Sequence, residues 1–434
     1  MSTAILGMGV TGQSIARFLR ARGELCATFD EQGGKSMTAD VQIGPLDAKK
    51  LAAFDRVAVS PGISWHHPVL DQLRAAEVRL CSDLDIFLES YQGELLAITG
   101  TNGKTSVTHL LGVLLETAAG GVGVGGNIGQ PMLDLLSEIH PSPRALLELS
   151  SFQLQRCHEA HPKWAALLNI QSDHADMHAD PEEYRASKLR LFAHQSEGDT
   201  AVLPVGDSFD DLAANLKQRG VRVRRFGYGN HADIGSTDTD LFWQDGAGVR
   251  CTVPLAELHL IGSHQQCNLA VAAQAAADCG IHEAVIREGV TSFRGLPHRL
   301  QLVSSHGGRD WFDDSKATNP DAAAAAMAAL GSVVWVCGGV TKGLDPMVLL
   351  DSVRRHVHSM LIIGKKQAPF VALAKASGVP WSKLGTIKKA VLKASQVQDS
   401  LLPVLLSPAA ASFDQFANYA ARGDAFKQAI EALK

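Results

Sequence analysis

The stretch that most limits what this chain can fold into runs from Leu95 to Thr108, LLAITGTNGKTSVT. Its apolar run, Leu95, Leu96, Ala97 and Ile98, reads as a buried strand. The run breaks at Thr99-Gly100 into a loop that ends Gly103-Lys104-Thr105 and opens an amphipathic helix. Strand, glycine loop and helix in that order make a phosphate-binding loop across Gly100, Thr101, Asn102, Gly103, Lys104 and Thr105. Glycines let backbone N–H groups close around a polyphosphate, and the helix start adds the positive end of its dipole. Lys104 supplies a point charge, and the Thr105 hydroxyl can ligate Mg2+. The spacing Gly-x-x-Gly-Lys-Thr is two residues shorter than the common form.

A chain of 434 residues is too long for one core and implies two to four domains. With 20% charged residues and a net charge of -5 it lacks the basic excess of a nucleic-acid or acidic-membrane binder, so local sites must hold its anionic ligands. The seven cysteines are odd in number, scattered, and never arranged as Cys-x-x-Cys. That usage fits reduced thiols and a cytoplasmic location. The N-terminus enters a strand-like TAIL with no leader pattern, and no apolar run approaches the ~18 residues of a membrane span.

Residues 2 to 30 read strand, glycine turn, helix, strand. Gly7, Gly9 and Gly12 fit Gly-x-Gly-x-x-Gly around Thr11, and Asp30 ends the second strand where an acidic side chain could take a ribose hydroxyl. The same pattern suits a βαβ unit that only needs a tight turn, or an NAD-dependent dehydrogenase. RVAVS leads to Ser60-Pro61-Gly62, and an alternation ending at VRLCSDLDIFL closes the first domain near residue 90.

Domain two continues with GGVGVGGNIGQP, where Asn127 could reach a ligand. In ALLELSSFQL, Glu148 interrupts an apolar strand, which is costly unless the carboxylate is paired or binds metal. AALLNI then gives way to a polar cluster with Asp173, His174, Asp176 and His178. Successive strands thus end in the phosphate loop, a carboxylate and histidines, the place where parallel α/β sheets hold ligands. In EEYRASKLRLF, Lys188 on pattern alone reads as a snorkelling lysine. Residues 199 to 260 are β-rich with a hairpin signal QDGAGV, consistent with an antiparallel flap or side sheet. His264 and Asn268 fall on the following turn and helix. From about 295 strands and helices alternate again, with Asn319 a candidate N-cap ahead of Pro320.

The motifs ITGTNGKT, GGNIGQP, LELSSFQL, LNIQSDHADMH, SKLRLF, GLPHRL, DDSKATN and LLSPAAASFDQFANYAARG resemble, in this order, the Mur ligase family of peptidoglycan precursor synthesis. The resemblance spans the whole chain and is weakest over 199 to 257. It implies three α/β domains: a Rossmann-like UDP-substrate domain over 1–90, a central P-loop mononucleotide-binding domain with a side β-sheet over 91–294, and a C-terminal Rossmann-like domain over 295–434. It also implies an ATP-dependent acid–amino-acid ligase that adds D-glutamate to UDP-N-acetylmuramoyl-L-alanine through an acyl phosphate, acting as a monomer.

By the same resemblance Lys104, Glu148, His174 and Lys188 are catalytic, and Thr105, Glu148, His174 and a carbamylated Lys188 serve two Mg2+ sites. Asn268 and Arg299 join the loop in holding ATP. Gly9, Thr11, Asp30, Ser60 and Gly62 take the uridine end, Asn127 and Gln153 the muramoyl part, and His174, Lys316, Thr318, Lys342, Ser412 and Phe413 the amino acid. The chain departs from the family pattern at Val340, where an Asp is usual, and at Gln265, Phe413 and Tyr419. Since the changes cluster at the third-domain ligand surface, L-glutamate or another acceptor stays open, as does a non-catalytic nucleotide-binding role.

Overall fold

The computed structural model describes residues 1–33, 40–117, 121–136, 144–171, 173, 177–398 and 401–433. Three sheets form in chain order. The first holds β1 (Ser2–Leu6), β2 (Leu25–Asp30), β3 (Val41–Ile43), β4 (Arg56–Val59) and β5 (Arg79–Cys81). Their order is β3-β2-β1-β4-β5 and all pairs are parallel. Helices lie between β1 and β2, β3 and β4, and β4 and β5, because parallel neighbours need a long return connection.

The second sheet holds β6 (Glu94–Thr99), β7 (Gly123–Gly126), β8 (Arg144–Glu148), β9 (Trp164–Leu167), β10 (Thr200–Pro204), β11 (Arg222–Tyr228), β12 (Ile234–Ser236), β13 (Asp240–Gln244) and β14 (Arg250–Pro254). Its order is β14-β13-β12-β11-β10-β9-β6-β8-β7. The stretch expected as an antiparallel flap or side sheet instead continues the central sheet. The apolar β10 pairs parallel with β9, Thr200 opposite Trp164, and β11 and β12 follow in parallel. The antiparallel pairs are β12–β13 and β13–β14, so β13 alone runs against the sheet, and the expected hairpin joins β13 to β14.

The third sheet holds β15 (Gln301–His306), β16 (Arg309–Asp313), β17 (Val333–Cys337), β18 (Val357–Ile363), β19 (Trp381–Gly385) and β20 (Val404–Leu406), ordered β15-β16-β20-β17-β18-β19. Only the β15–β16 pair is antiparallel. The buried run VVWVC forms β17, and Asn319 caps the helix Pro320–Leu330 as expected, accepting from the Ala322 N–H.

Residues 83–90, at the end of the first domain, are a helix. Ser82 and Asp85 form a reciprocal capping box at its start, and Leu84, Ile86 and Phe87 are buried on one side. One apolar core runs from the first sheet into the second, joining Ile5, Leu84 and Phe87 to Leu95, Leu147 and Leu167. The third sheet buries its own two faces around Trp335 and Phe370 and around Trp311 and Phe426. No helix among the described residues is long and apolar enough to cross a membrane.

Two buried arginines tie loops to this frame. Arg156 donates to the carbonyls of Val59, Ser60, Pro61 and Ile63, so the helix after β8 grips the loop after β4. Arg422 donates to Ser315 Oγ at 2.9 Å, Ser315 O at 2.7 Å and Ala410 O at 2.9 Å. Truncating it strands three acceptors in a buried pocket. Arg422→Ala is therefore expected to lower unfolding free energy by about 3 kcal/mol, measured by urea denaturation. A loss under about 1 kcal/mol would contradict the clamp.

Candidate functional site

The phosphate loop follows β6 and enters the helix Lys104–Glu116 through Gly103, whose φ is +87°. A Cβ there would stand 2.6 Å from Asn268 Nδ2, so the loop's close approach to the helix Ser263–Asp278 requires glycine. Asn169, just past β9, holds the loop in shape. Its Oδ1 accepts the N–H groups of Thr101 at 3.1 Å and Asn102 at 2.8 Å, and its Nδ2 donates to Asn102 O at 3.0 Å. Thr101 Oγ1 meets Tyr184 OH at 2.9 Å and accepts from the Gln171 N–H at 3.0 Å.

Lys104 Nζ donates to the carbonyls of Gly100 at 2.8 Å and Thr101 at 2.9 Å. Lys188 Nζ reaches the same Gly100 oxygen at 2.9 Å from the helix Pro181–Leu189, and its side chain is 1% exposed. Burial first, then the neighbouring Lys104 charge, pushes the Lys188 ammonium well below its ordinary pKa. Burial also lowers Lys104, against the opposing pull of Glu148. The snorkelling reading of Lys188 fails here, because its amine is the buried end.

Glu148 closes β8 and is 1% exposed. Asn127 Nδ2 donates to its Oε1 at 3.0 Å, while Oε2 is buried and has no hydrogen-bond partner among the described residues. Gly126, at φ +111°, permits this contact, since a Cβ there would lie 2.3 Å from the Glu148 carbonyl. An orphaned carboxylate oxygen in a cavity that also takes in Thr105 is a donor set suited to a hard divalent cation, so the residues present fit Mg2+. His174 lies outside the described residues. Among the described residues no group of three His, Cys, Asp or Glu forms a metal cluster.

The third sheet completes the cavity, about 560 Å³ in volume. Arg299 sits between His298 and Leu300, both at positive φ, 63° and 47°. His298 Nδ1 binds Asp313 Oδ2 at 2.7 Å, and the Leu300 N–H donates to Asp314 Oδ1 at 3.1 Å, which fixes this strained turn. Lys316 lies over the Tyr419 ring at 4.1 Å from its centroid. Thr318, Asn319 and Lys342 also face the cavity, and Asn319 meets Asn102 of the phosphate loop at 3.4 Å. The lining therefore carries Lys104, Lys188, Arg299, Lys316 and Lys342 against Glu148, Asp173, Asp314 and Asp321. Burial pushes Asp314 up to about 7, which weakens one of the carboxylates and favours a polyanion beside Lys104, Arg299, Lys316 and Lys342.

The remaining expected residues lie elsewhere. Asp30 Oδ2 accepts the Met8 N–H at 2.7 Å, and Ser60 Oγ donates to Gly7 O at 2.6 Å. Together they shape the glycine turn at the carboxyl ends of β1 and β4, with Gly9 exposed, Thr11 partly exposed and Gly62 exposed on the adjacent loop. Gln153 points to Asp83 and caps its own helix through Ser150, outside the cavity lining. Ser412 is buried and Phe413 exposed, and neither lines the cavity; the Phe413 ring lies 5.8 Å from Lys342 Nζ. Sequence reading passed over Asn169, Gln171, Tyr184 and Asn319 as site residues. The strand-end position of Asn169 was the signal that could have found it.

With this geometry in hand, comparison with known proteins gives a consistent picture. Models of the Mur ligase middle domain and of the MurD-like Mur ligase N-terminal domain match residues 98–276 and 1–82. The UDP-N-acetylmuramoylalanine--D-glutamate ligase of Hahella chejuensis is 35% identical, covering 99% of this chain and 98% of its own. The enzyme of that name from Methylococcus capsulatus is also 35% identical, covering 99% and 94%. Among solved structures, a pseudomurein peptide ligase type C from Methanothermus fervidus superposes with a TM-score of 0.62 at 15% identity over all of both chains. MurF of Thermotoga maritima in complex with ADP gives 0.59 at 16% identity over 100% of this chain and 95% of that one. The chain belongs to the Mur ligase family. Its likeness within the family runs end to end with the ligases named for D-glutamate.

Burial, then Arg299 and Lys104, lowers Lys316 to about 8. Its ammonium is therefore lost as pH rises through about 8, and the unfolded chain, still protonated there, makes stability rise with pH up to the ordinary lysine range. An anion seated beside it restores the proton. Binding of ATP at about pH 8.5 is thus expected to take up protons, seen as a buffer-dependent heat in calorimetry, and Lys316→Arg is expected to abolish that uptake. Identical uptake in the variant would show that Lys316 is not the titrating group.

Proposed function

We propose that this protein is an ATP-dependent ligase that joins D-glutamate to UDP-N-acetylmuramoyl-L-alanine, releasing ADP and phosphate, in peptidoglycan precursor synthesis. The observation that carries the reading is one cavity in which the phosphate loop and Glu148 face Arg299, Lys316 and Lys342 of the third sheet. A carboxylate is a poor electrophile with a bad leaving group. Transfer of the ATP γ-phosphate to it gives an acyl phosphate, the glutamate amine attacks the carbonyl carbon, and the tetrahedral intermediate expels phosphate as the amine loses its proton. Phosphoryl transfer asks mainly for alignment and charge neutralisation. Lys104, the helix N-terminus, Arg299 and Lys316 supply both.

In this reading Asn268 and Arg299 hold ATP with the loop. The uridine end lies over Gly9, Thr11, Asp30, Ser60 and Gly62, and the muramoyl part against Asn127 and Gln153. The amino acid meets His174, Lys316, Thr318, Lys342, Ser412 and Phe413. Thr105, Glu148, His174 and Lys188 would hold Mg2+, which when bound neutralises phosphate charge. The neutral Lys188 amine, favoured by burial beside Lys104, adds to CO2 and loses a proton to become a carbamate, which turns a repelling cation into an anionic oxygen donor. The chain divides at about 90 and 295, in keeping with three sheets each drawn from one stretch. It works as a cytoplasmic monomer, a location that its seven free thiols suit.

Purified protein with ATP, Mg2+ and UDP-N-acetylmuramoyl-L-alanine is expected to release phosphate on addition of D-glutamate and not of L-glutamate. Silence with both overturns the ligase reading, and release with L-glutamate reassigns the acceptor. Lys188→Ala is expected to be nearly inactive and partly rescued by millimolar short carboxylic acids, whose oxygens replace those of the carbamate. Failure of every such acid to raise turnover would remove the carbamate.

A further inference from the structure

A second cavity, about 670 Å³, opens at the carboxyl ends of β17, β18 and β19. Lys342, Lys365, Lys366 and Lys383 converge on it from three separate loops and strands, and no carboxylate lines it. Among the described residues none of the four makes an ion pair. Lys342 lines this cavity and the phosphate cavity alike, so the two share a wall.

The frame around the lysines is built. The Lys365 N–H donates to Asp414 Oδ2 at 2.7 Å, and Gln367 Nε2 donates to Gly364 O at 3.0 Å. Val340 is locked to Ala411 by reciprocal backbone bonds of 2.9 and 2.8 Å. A carboxylate at position 340 would neutralise one lysine and repel an incoming anion; valine leaves the positive field whole.

Folding gains little from four unpaired cations gathered around one opening, which repel one another. Their field concentrates small anions at the mouth. Of the reactants in the ligase reading, on which this inference rests, the free amino acid is the compact dicarboxylate that must approach the third sheet from solvent. We propose that this outer cavity is a cationic vestibule, formed by Lys365, Lys366 and Lys383, that captures the dicarboxylate amino acid and passes it to Lys342 at the shared wall. Because the three lysines are solvated, they act on encounter and retention, with no part in the chemical step.

The test uses the full chain with Lys365→Glu/Lys383→Glu and with the milder Lys365→Gln/Lys383→Gln. Glutamate is varied at saturating ATP and UDP-substrate, at low and high salt. The charge-reversed protein is expected to lose about tenfold in kcat/KM for glutamate and the neutral one less. In both, kcat and the KM for ATP stay within about twofold of the parent, and the salt dependence flattens. An unchanged kcat/KM for glutamate with turnover intact overturns the vestibule. So does an equal fall in kcat or a matching rise in the KM for ATP, which assigns the lysines to structure. If the parent protein ligates nothing, the ligase reading has failed instead. Calorimetry of glutamate with ADP present then decides the vestibule by itself, equal affinity in parent and variant overturning it.

Discussion

Two ammonium groups aimed at one carbonyl oxygen set the terms for this structure. Lys104 and Lys188, 84 positions apart in sequence, both donate to Gly100 O, and the Lys104 charge adds to burial in weakening the hold of Lys188 on its proton. Like charges that close and that buried are unfavourable in the folded chain by itself. The pairing makes sense when a polyphosphate lies against Lys104 and when Lys188 sheds its charge. The loop survives the repulsion because Asn169 holds its backbone, and Gln171 and Tyr184 hold the Thr101 hydroxyl, independently of the lysines.

The same logic organises the wider frame. Buried arginines stabilise loops by donating to carbonyl oxygens: Arg156 grips the loop after β4, and Arg422 grips the DDSKATN turn that carries Lys316. Each fixes irregular backbone that has no sheet partner, and so positions ligand-facing residues on rigid supports. Apolar packing joins the first and second sheets into one core, whereas the phosphate loop meets the third sheet's DDSKATN segment through polar groups such as Asn102 and Asn319. The chemistry therefore falls where a packed body and a more loosely tied one meet.

Much of the site was legible because it follows local rules. The phosphate loop, the costly Glu148 inside an apolar strand and the Asn319 cap all declare themselves within a few residues. Other residues were not legible, for physical reasons. Lys188 looks like any helix lysine until tertiary packing removes its water. Asn169 looks like strand-end polarity until β9 pairs with β6 and brings it under the loop. Gln153 was named only by resemblance, and its amide is engaged by Ser150 and Asp83. The 199–260 region, β-rich with a hairpin signal, suited an antiparallel flap or side sheet, and only the parallel pairing of β10 with β9 attached it to the centre.

The sequence by itself determined that the chain is α/β, that residues 100–105 carry a phosphate-loop pattern, and, through the order of its motifs, which family it belongs to. These are properties of short-range pattern, and short-range pattern survives without coordinates. The tertiary structure alone decided which charges share a cavity, which lysine is dry, and that an uncompensated cluster of lysines gathers at one end of the third sheet. Electric fields and desolvation depend on distances between residues far apart in the chain, and those distances exist only once the sheets have closed around them.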